Sequence, residues 1–241
     1  MNLSLPTRLG ARAVLAIALL TTGCLFGPPA RVPLPAKTWS LGESPSTDLL
    51  VLLPGRGDDM LEYQRRGLVD YLLNEGRAGN LPFDVLVVDA HWGYYRARSL
   101  PERLGVDVID PALAAGYERI HLFGISLGGF GSLVYWREHF DNVTSLTLLA
   151  PFLGEGTAQG SETDVLSWLL ELPQERLDRI WLGWGEQDDF AVGCRQLAAV
   201  LDPSHVLGIQ GGHDWETWRQ LWPALIPSAA SAPTPERSPA P

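Results

Sequence analysis

The sequence predicts an α/β fold, with a mostly parallel sheet, helices on both of its faces and a minimal lid or none. Two observations support this prediction. First, short apolar segments of strand length alternate with longer segments in which the apolar residues have helical spacing. Second, the motif Gly124-Ile125-Ser126-Leu127-Gly128 lies between one of these short segments and a helical one. Strands that are separated by helices pair in parallel, and such sheets are buried on both faces.

Strands and helices are expected in alternation along the chain. The strand segments are short and apolar, and they cover residues 48–53, 83–88, 119–123, 145–149, 180–184 and 206–209. The helix segments are longer, and they cover residues 60–75, 101–115, 127–139, 162–170, 192–201 and 215–221. Gly76 is expected to end the first helix. The less regular region 152–178 is expected to form at most a small lid.

Length and composition suit one domain, which is expected at residues 48–222. The chain has 241 residues, of which 46% are hydrophobic, and this content is enough for a core. The formal net charge is −10, and the sequence has no basic cluster. This balance argues against nucleic acid and against an anionic membrane surface as partners. The histidines and acids lack the spacing of metal ligands, so neither a metal nor another cofactor is expected.

The first residues have the features of an export signal. Arg8 and Arg12 precede a short apolar stretch, and small residues follow it directly before Cys24. This pattern indicates a secretory signal at residues 1–23. The small residues before Cys24 resemble the lipobox of bacterial lipoproteins, with Thr21 at the place where that family usually has leucine. The resemblance implies cleavage before Cys24 and lipidation of that residue; an ordinary cleaved signal is the alternative.

Proline-rich segments flank the expected domain. Residues 24–47 contain five prolines and are expected to form a tether, and residues 223–241 are expected to form a disordered tail. If Cys24 is acylated, Cys194 is the remaining thiol and no intramolecular disulfide is expected. These features predict an exported bacterial envelope protein, a monomer that reaches the membrane only through its lipid anchor and faces the periplasm.

The motif around Ser126 has the form of a nucleophile elbow. To expose the Ser126 hydroxyl at the end of a sheet, the chain must pass from strand to helix in one sharp turn with strained backbone angles. Gly124 and Gly128 leave room for this turn because they have no side chains. Ser126 is therefore the candidate nucleophile.

Acidic residues and a histidine follow the last two predicted strands. Asp188 and Asp189 lie in the loop after one strand, and His213 lies in the loop after the next. In parallel sheets the ligand site lies at the carboxyl ends of the strands, so these residues are expected to meet near Ser126. Spacing from Gly185 favours Asp188 as the acid of the site, and Asp189 is the alternative.

From about residue 48 to residue 221 the chain resembles an α/β-hydrolase of the small serine-esterase type. The serine, acid and histidine follow the chain order of that superfamily. The segment 212–218, Gly-His-Asp-Trp-Glu-Thr-Trp, is similar to the Gly-His-Asp-Trp-x-x-Trp segment of the esterase D-like group. The segment 53–57, Leu-Pro-Gly-Arg-Gly, resembles the His-Gly-x-Gly loop of carboxylesterases, with proline in place of histidine.

The resemblance implies roles for five residues. Ser126 is expected to be the nucleophile, His213 the general base, and Asp188 the residue that orients the histidine. The backbone N–H groups of Leu127 and Arg56 are expected to form the oxyanion hole.

The remaining histidines and one further acid have structural explanations. His121 lies within a predicted strand and is expected to be buried and hydrogen-bonded. His139 is expected at the surface at the end of a helix, and His205 at the start of a strand. Asp214 is expected to cap the last helix.

Several aromatic residues follow the strand at 83–88. His91, Trp92, Tyr94 and Tyr95 are candidates for a substrate pocket in which an aromatic acyl or alcohol group stacks. Packing of this loop against the body of the domain is an equal alternative, and the same alternative applies to Trp168.

Two functions are compatible with this sequence. The first is a serine hydrolase that acts on carboxylic esters, or on thioesters, of a small-molecule or lipid-like substrate, with acyl transfer where an alcohol outcompetes water. The second is a non-catalytic envelope lipoprotein that uses the fold as a binding module. A serine, an acid and a histidine at strand ends favour the first, because a binding module needs none of the three.

Overall fold

The computed structural model of the chain describes residues 28–41, 46–154, 161 and 163–233. A seven-stranded sheet runs through this part of the chain, with the strand order β1-β3-β2-β4-β5-β6-β7. The strands are β1 Ala36–Trp39, β2 Asp48–Leu53, β3 Phe83–Val88, β4 Arg119–Ile125, β5 Ser145–Leu149, β6 Ile180–Gly185 and β7 Val206–Ile209. Strands β2 to β7 pair in parallel, and β1 pairs antiparallel with β3 at the edge.

Helices connect the strands. They are α1 Glu62–Arg65, α2 Leu68–Arg77, α3 Trp92–Arg96, α4 Leu100–Leu104, α5 Asp110–Ala114, α6 Leu127–Glu138, α7 Val165–Leu170, α8 Gln174–Leu177, α9 Ala191–Ala198 and α10 Trp215–Ala230. A π-helical turn, Gly105–Ile109, joins α4 to α5. Short 3₁₀ turns at Phe140–Asn142 and Pro203–His205 precede β5 and β7. Within the described ranges, the helices are too short or too polar to cross a membrane.

The sheet is covered on both faces, as the sequence predicts. Alternate residues of β2 point to opposite sides: Leu49 and Val51 pack in one cluster, and Leu50 and Leu52 in the other. Helices α4 to α9 contribute to the first cluster, whereas α2 and α10 contribute to the second. This central strand, which is apolar from Leu49 to Leu53, is therefore buried on both of its faces.

The N-terminal boundary of the predicted domain is wrong. Part of the expected tether, residues 36–39, forms β1, whose Ala36 and Trp39 lie opposite Val88 and Val85 of β3. The local sequence gives little sign of this strand, because the unpaired edge of β3 supplies its hydrogen bonds. The predicted signal, the lipidation site Cys24 and residues 42–45 of the tether lie outside the described residues.

The predicted start of the C-terminal tail is also wrong. Helix α10 continues to Ala230, although it contains Pro223 and Pro227. An interior proline costs a helix about 3 kcal/mol. Burial of Leu225 and Ile226 against the sheet offsets much of this cost, at roughly 1.5–3 kcal/mol for each side chain. The last part of the expected tail, residues 234–241, lies outside the described residues.

Helix boundaries differ from the prediction at several other places. The expected helix at 60–75 is divided at Gly67, which has a φ of 86°, and its second part runs through Gly76 to Arg77. The helix expected from residue 162 begins at Val165, after the capping residue Asp164. Helices α3 and α8 have four or five residues and were not expected.

His121 is buried and hydrogen-bonded, as the sequence predicts. Its Nδ1 lies 2.7 Å from Ser145 Oγ and its Nε2 lies 3.2 Å from Asp48 Oδ1. Burial lowers the pKa of His121, although the hydrogen bond with Asp48 acts in the opposite direction. This network lies at the amino ends of β2 and β5, opposite the edge at which the loops after β4, β6 and β7 meet. It therefore serves the sheet and takes no part in the site described next.

Candidate active site

Ser126 is the single residue between β4 and α6. Its backbone has φ 54° and ψ −117°, a left-handed conformation that is strained for any residue except glycine. Three backbone hydrogen bonds hold it there. The Ser126 N–H donates to the Leu149 carbonyl at 2.9 Å, and the Ser126 carbonyl accepts from the N–H groups of Phe130 and Phe152 at 3.2 and 3.1 Å.

The glycines of the motif are required by close approach of backbone to backbone. A Cβ atom on Gly124 would lie 2.4 Å from the carbonyl carbon of Gly128. A Cβ atom on Gly128 would lie 2.0 Å from the carbonyl oxygen of Leu53, at the end of the neighbouring strand β2. Helix α6 can therefore start directly above the strand ends only because these two side chains are absent.

Ser126, His213 and Asp188 form one hydrogen-bonded chain. His213 Nε2 lies 2.9 Å from Ser126 Oγ, and His213 Nδ1 lies 2.8 Å from Asp188 Oδ2. The other oxygen of Asp188 accepts from the Phe190 N–H at 2.8 Å. The Asp188 side chain is fully buried, whereas that of His213 is 29% exposed. A neutral His213 in this position donates from Nδ1 to the carboxylate and accepts the serine proton at Nε2.

The alternatives considered for these roles lie elsewhere. Asp189 is exposed, and the hydrogen bond to His213 comes from Asp188. Asp214 caps α10 by accepting from the Thr217 N–H at 2.9 Å, and this hydrogen bond lowers its pKa. His139 follows the end of α6, as predicted, but it is partly buried and stacks on Tyr135. His205 directly precedes β7, as predicted, and stacks on Trp181.

The loops that carry Asp188 and His213 pack directly on each other. The Gln187 N–H donates to the Gly211 carbonyl at 2.9 Å, and the Gly211 N–H donates to Gln187 Oε1 at 2.7 Å. A Cβ atom on Gly185 would lie 2.3 Å from the Gly211 carbonyl oxygen, so this approach also requires glycine. The two loops therefore fix the distance between the acid and the histidine.

The predicted oxyanion loop lies beside the nucleophile. Leu53 of β2 is paired in register with Gly124, and a Cβ atom on Gly55 would lie 3.8 Å from Ser126 Cβ. In the part of the chain that the structure describes, the backbone N–H groups of Leu127 and Arg56 donate to no protein acceptor. The prediction that these two groups form an oxyanion hole is consistent with their lack of a protein acceptor.

A cavity of about 540 Å³ lies along α6, next to the first turn after Ser126. Tyr95, Phe130 and Val134 contribute apolar surface to its lining, and Arg98, Arg137 and Glu138 add charged groups. Ser126 and His213 do not line this cavity; Phe130, one turn of α6 after Ser126, is the lining residue nearest to the nucleophile along the chain. It has the size of a small-molecule site.

Aromatic side chains connect this cavity to the histidine. The ring centroids of Phe130 and Phe152 lie 5.6 Å apart, those of Phe152 and Phe190 lie 5.7 Å apart, and those of Phe190 and His213 lie 5.0 Å apart. Tyr95 contacts Phe130 at 6.3 Å. These three phenylalanines were not predicted as site residues. Each of them comes shortly after the carboxyl end of a strand, and this position is the signal that identified Ser126, Asp188 and His213.

The four predicted pocket residues divide into separate roles. Tyr94 and Tyr95 line the cavity, and the Tyr94 hydroxyl also bonds the backbone N–H and carbonyl of Arg31, both at 3.0 Å. His91 caps α3, because its Nδ1 accepts from the Gly93 N–H at 3.1 Å. Trp92 is 38% exposed, and its ring contacts both the Arg56 guanidinium and the Tyr95 ring.

Trp168 has the packing role that was the alternative in the sequence analysis, since it contacts Trp136 and Phe140. The described residues contain no cluster of three or more histidines, cysteines or acids that could hold a metal ion.

Comparisons with known proteins identify the fold. No protein-family model matches the chain, and no curated protein matches it. A ferulic acid esterase is similar over 78% of this chain and 86% of its own, with a TM-score of 0.61 and 17% identity. S-formylglutathione hydrolase FrmB from Staphylococcus aureus is similar over 85% and 99%, with a TM-score of 0.57 and 16% identity. The S. aureus fluorophosphonate-binding serine hydrolase FphF is similar over 79% and 84%, with a TM-score of 0.54 and 16% identity. The chain therefore has the α/β-hydrolase fold that its motifs predict.

Replacement of Gly128 by alanine tests the requirement for close approach. Gly128→Ala places a methyl group 2.0 Å from the Leu53 carbonyl, so the elbow must shift. We expect a loss of about 1–3 kcal/mol in the free energy of unfolding, measured by urea denaturation. Gly105→Ala is the matched control, since its Cβ would meet Tyr135 at an ordinary 3.6 Å. Equal stability of the two variants would contradict the steric explanation.

Proposed function

We propose that the protein is a serine hydrolase that cleaves carboxylic esters through an acyl-enzyme on Ser126. The observation that carries this proposal is the hydrogen-bonded chain from Ser126 through His213 to Asp188 on a strained elbow. The names of the structural relatives, among them an esterase and a fluorophosphonate-binding serine hydrolase, support the same class of reaction.

The first half of the reaction forms the acyl-enzyme. Ser126 Oγ attacks the ester carbonyl carbon while His213 Nε2 takes the serine proton. The carbonyl oxygen becomes an oxyanion, which accepts hydrogen bonds from the N–H groups of Leu127 and Arg56. Asp188 stabilises the resulting imidazolium. When the bond from carbon to the leaving oxygen breaks, His213 returns the proton to that oxygen, and a free alcohol leaves.

The second half releases the acid. Water takes the place of the alcohol, gives its proton to His213 and attacks the acyl carbon. Collapse of the second tetrahedral intermediate breaks the bond to Ser126 Oγ, and His213 returns the proton to the serine. A thioester follows the same steps with a thiol as the leaving group. An alcohol in place of water gives acyl transfer.

A non-catalytic binding module is the competing proposal. Such a module does not need a serine held in a left-handed conformation, and this strain costs about 1–3 kcal/mol. It also does not need a buried carboxylate behind an accessible imidazole, with hydrogen bonds of 2.8 and 2.9 Å. The strain and the pairing together favour the hydrolase.

The proposal includes a location at the bacterial envelope, facing the periplasm. Its support is the sequence alone: a positive start, an apolar run and small residues before Cys24. With the signal removed and Cys24 acylated, residues from 25 onward would connect the lipid to the first described strand. Labelled palmitate should enter the wild-type protein in bacteria and not Cys24→Ser, whereas labelling of both would exclude Cys24 as the acylated residue.

A fluorophosphonate probe tests the hydrolase directly. We expect the folded wild-type protein to be labelled covalently and Ser126→Ala to remain unlabelled, because the probe reacts with an activated serine. Labelling is measured by mass spectrometry, and folding of both proteins by circular dichroism. A folded wild-type protein that takes up no probe would contradict the proposal.

Two neighbouring acids provide a matched control. Asp188→Asn removes the carboxylate that orients His213, so the rate of labelling should fall by about 10²-fold or more. Asp189→Asn makes the same chemical change on an exposed side chain, and its rate should stay within about twofold of wild type. Equal rates for the two variants would remove Asp188 from the mechanism.

A further inference from the structure

The guanidinium of Arg56 lies over the aromatic ring of Trp92. It lies 5.1 Å from the centroid of the Trp92 ring. The Trp92 ring also stacks on Tyr95, with centroids 6.4 Å apart and an interplanar angle of 19°. Tyr95 in turn lines the cavity along α6. The Arg56 side chain is exposed, and its guanidinium contacts a ring that stacks on one of the cavity-lining residues.

The backbone that precedes Arg56 lies beside the nucleophile Ser126. Arg56 directly follows Gly55, at which a Cβ atom would lie 3.8 Å from Ser126 Cβ and 3.6 Å from the Ile125 carbonyl oxygen. Its backbone N–H is one of the two predicted oxyanion donors. The guanidinium therefore belongs to the residue that directly follows the backbone lying against Ser126.

Arg56 has no carboxylate partner among the described residues, although the chain carries a net charge of −10. Some other arginines are paired with an acid, such as Arg65 with Asp59 and Arg195 with Glu186. Since most acids of this protein repel an anionic substrate, an unneutralised cation at the site is a local exception.

The acids next to Arg56 in the loop are engaged elsewhere. Asp59 is paired with Arg65 at 2.9 Å. The Asp58 carboxylate is turned toward Gly55, with Oδ2 3.1 Å from the position of a Cβ there. Burial raises the pKa of Asp58, and repulsion from Glu62 adds to this.

We propose that Arg56 binds a carboxylate carried by the ester substrate, and that Trp92 is a positioning residue that holds the guanidinium for this contact. This inference rests on the proposed ester hydrolysis. A guanidinium presents a planar fork of N–H donors that matches the two oxygens of a carboxylate. Stacking on Trp92 orders the side chain before the substrate arrives, which lowers the entropic cost of binding. The preferred substrates are accordingly anionic esters.

Matched pairs of esters test the inference. The first pair has the charge on the leaving group: 3-carboxyphenyl acetate and its neutral counterpart 3-carbamoylphenyl acetate. The second pair has it on the acyl group: 4-nitrophenyl hydrogen glutarate and 4-nitrophenyl pentanoate. The measured quantity is the ratio of kcat/KM for the anionic ester to that for the neutral ester, after subtraction of spontaneous hydrolysis. In wild type we expect a ratio of about tenfold or more in at least one pair, which also locates the carboxylate.

Variants of Arg56 assign the preference to its side chain. In Arg56→Gln the ratio should fall about tenfold, and Arg56→Lys should keep part of it because the charge remains without the planar fork. Arg77→Gln is the control: it removes the same charge from an exposed side chain at the end of α2, and its ratio should equal that of wild type. An unchanged ratio in Arg56→Gln would overturn the inference.

Variants of Trp92 test positioning. Trp92→Ala should lower the ratio mainly through a higher KM for the anionic ester, and Trp92→Phe should restore part of it, because a phenyl ring can still stack under the guanidinium. A purely structural role would affect both esters of a pair equally.

If wild type hydrolyses both esters of each pair with equal kcat/KM, this inference fails and the hydrolase stands; if folded wild type hydrolyses none of the four, both fail.

Discussion

The site depends on backbone segments that approach one another more closely than any side chain allows. At Gly124 and Gly128 this approach lets α6 begin directly above the ends of β2 and β4, and it forces Ser126 into a left-handed conformation. Such strain costs about 1–3 kcal/mol, and it persists only where the surroundings fix the geometry. Here the backbone hydrogen bonds of Ser126 to Leu149, Phe130 and Phe152 do so. The same constraint recurs where Gly185 and Gly211 bring the acid and histidine loops together.

The order of the strands explains why three distant residues meet. Ser126 follows β4, Asp188 follows β6 and His213 follows β7, and β5 separates the first of these strands from the other two. Because these strands are parallel, their carboxyl ends lie at one edge of the sheet. The histidine loop then extends across this edge, and the rings of Phe190 and Trp218 contact the imidazole edge-on at 5.0 Å each. The fold thus provides the position, and the loops provide the chemistry.

The sequence predicted much of the sheet and the central residues of the site, for a physical reason. Buried parallel strands are nearly continuous apolar runs, so β2, β3 and β5 were predicted with the bounds that the structure has. The partly exposed edge strand β7 is also apolar and was predicted with its observed bounds. The serine, acid and histidine were identifiable because each follows such a run. Strand β1 was missed because its stability comes from the open edge of β3, which local sequence does not show.

Features that depend on packing between distant segments were not predictable in this way. The continuation of α10 past Pro223 depends on burial of Leu225 and Ile226 against the sheet. The stack of Arg56, Trp92 and Tyr95 joins two loops that only the fold brings together. The sequence identified Trp92 as a pocket residue; in the structure it does not line the cavity, and its ring contacts Arg56 and Tyr95.

The central claim is that Ser126 carries the acyl group during turnover, and the most direct measurement is of that covalent intermediate. The protein is mixed with a 4-nitrophenyl ester, quenched in acid within the first turnovers, digested and analysed by mass spectrometry. The mechanism predicts that the peptide containing Ser126 gains the mass of the acyl group, and that the same peptide of Ser126→Ala does not. Hydrolysis of the ester at the wild-type rate by Ser126→Ala, or an acyl group found only on another residue, would contradict the account.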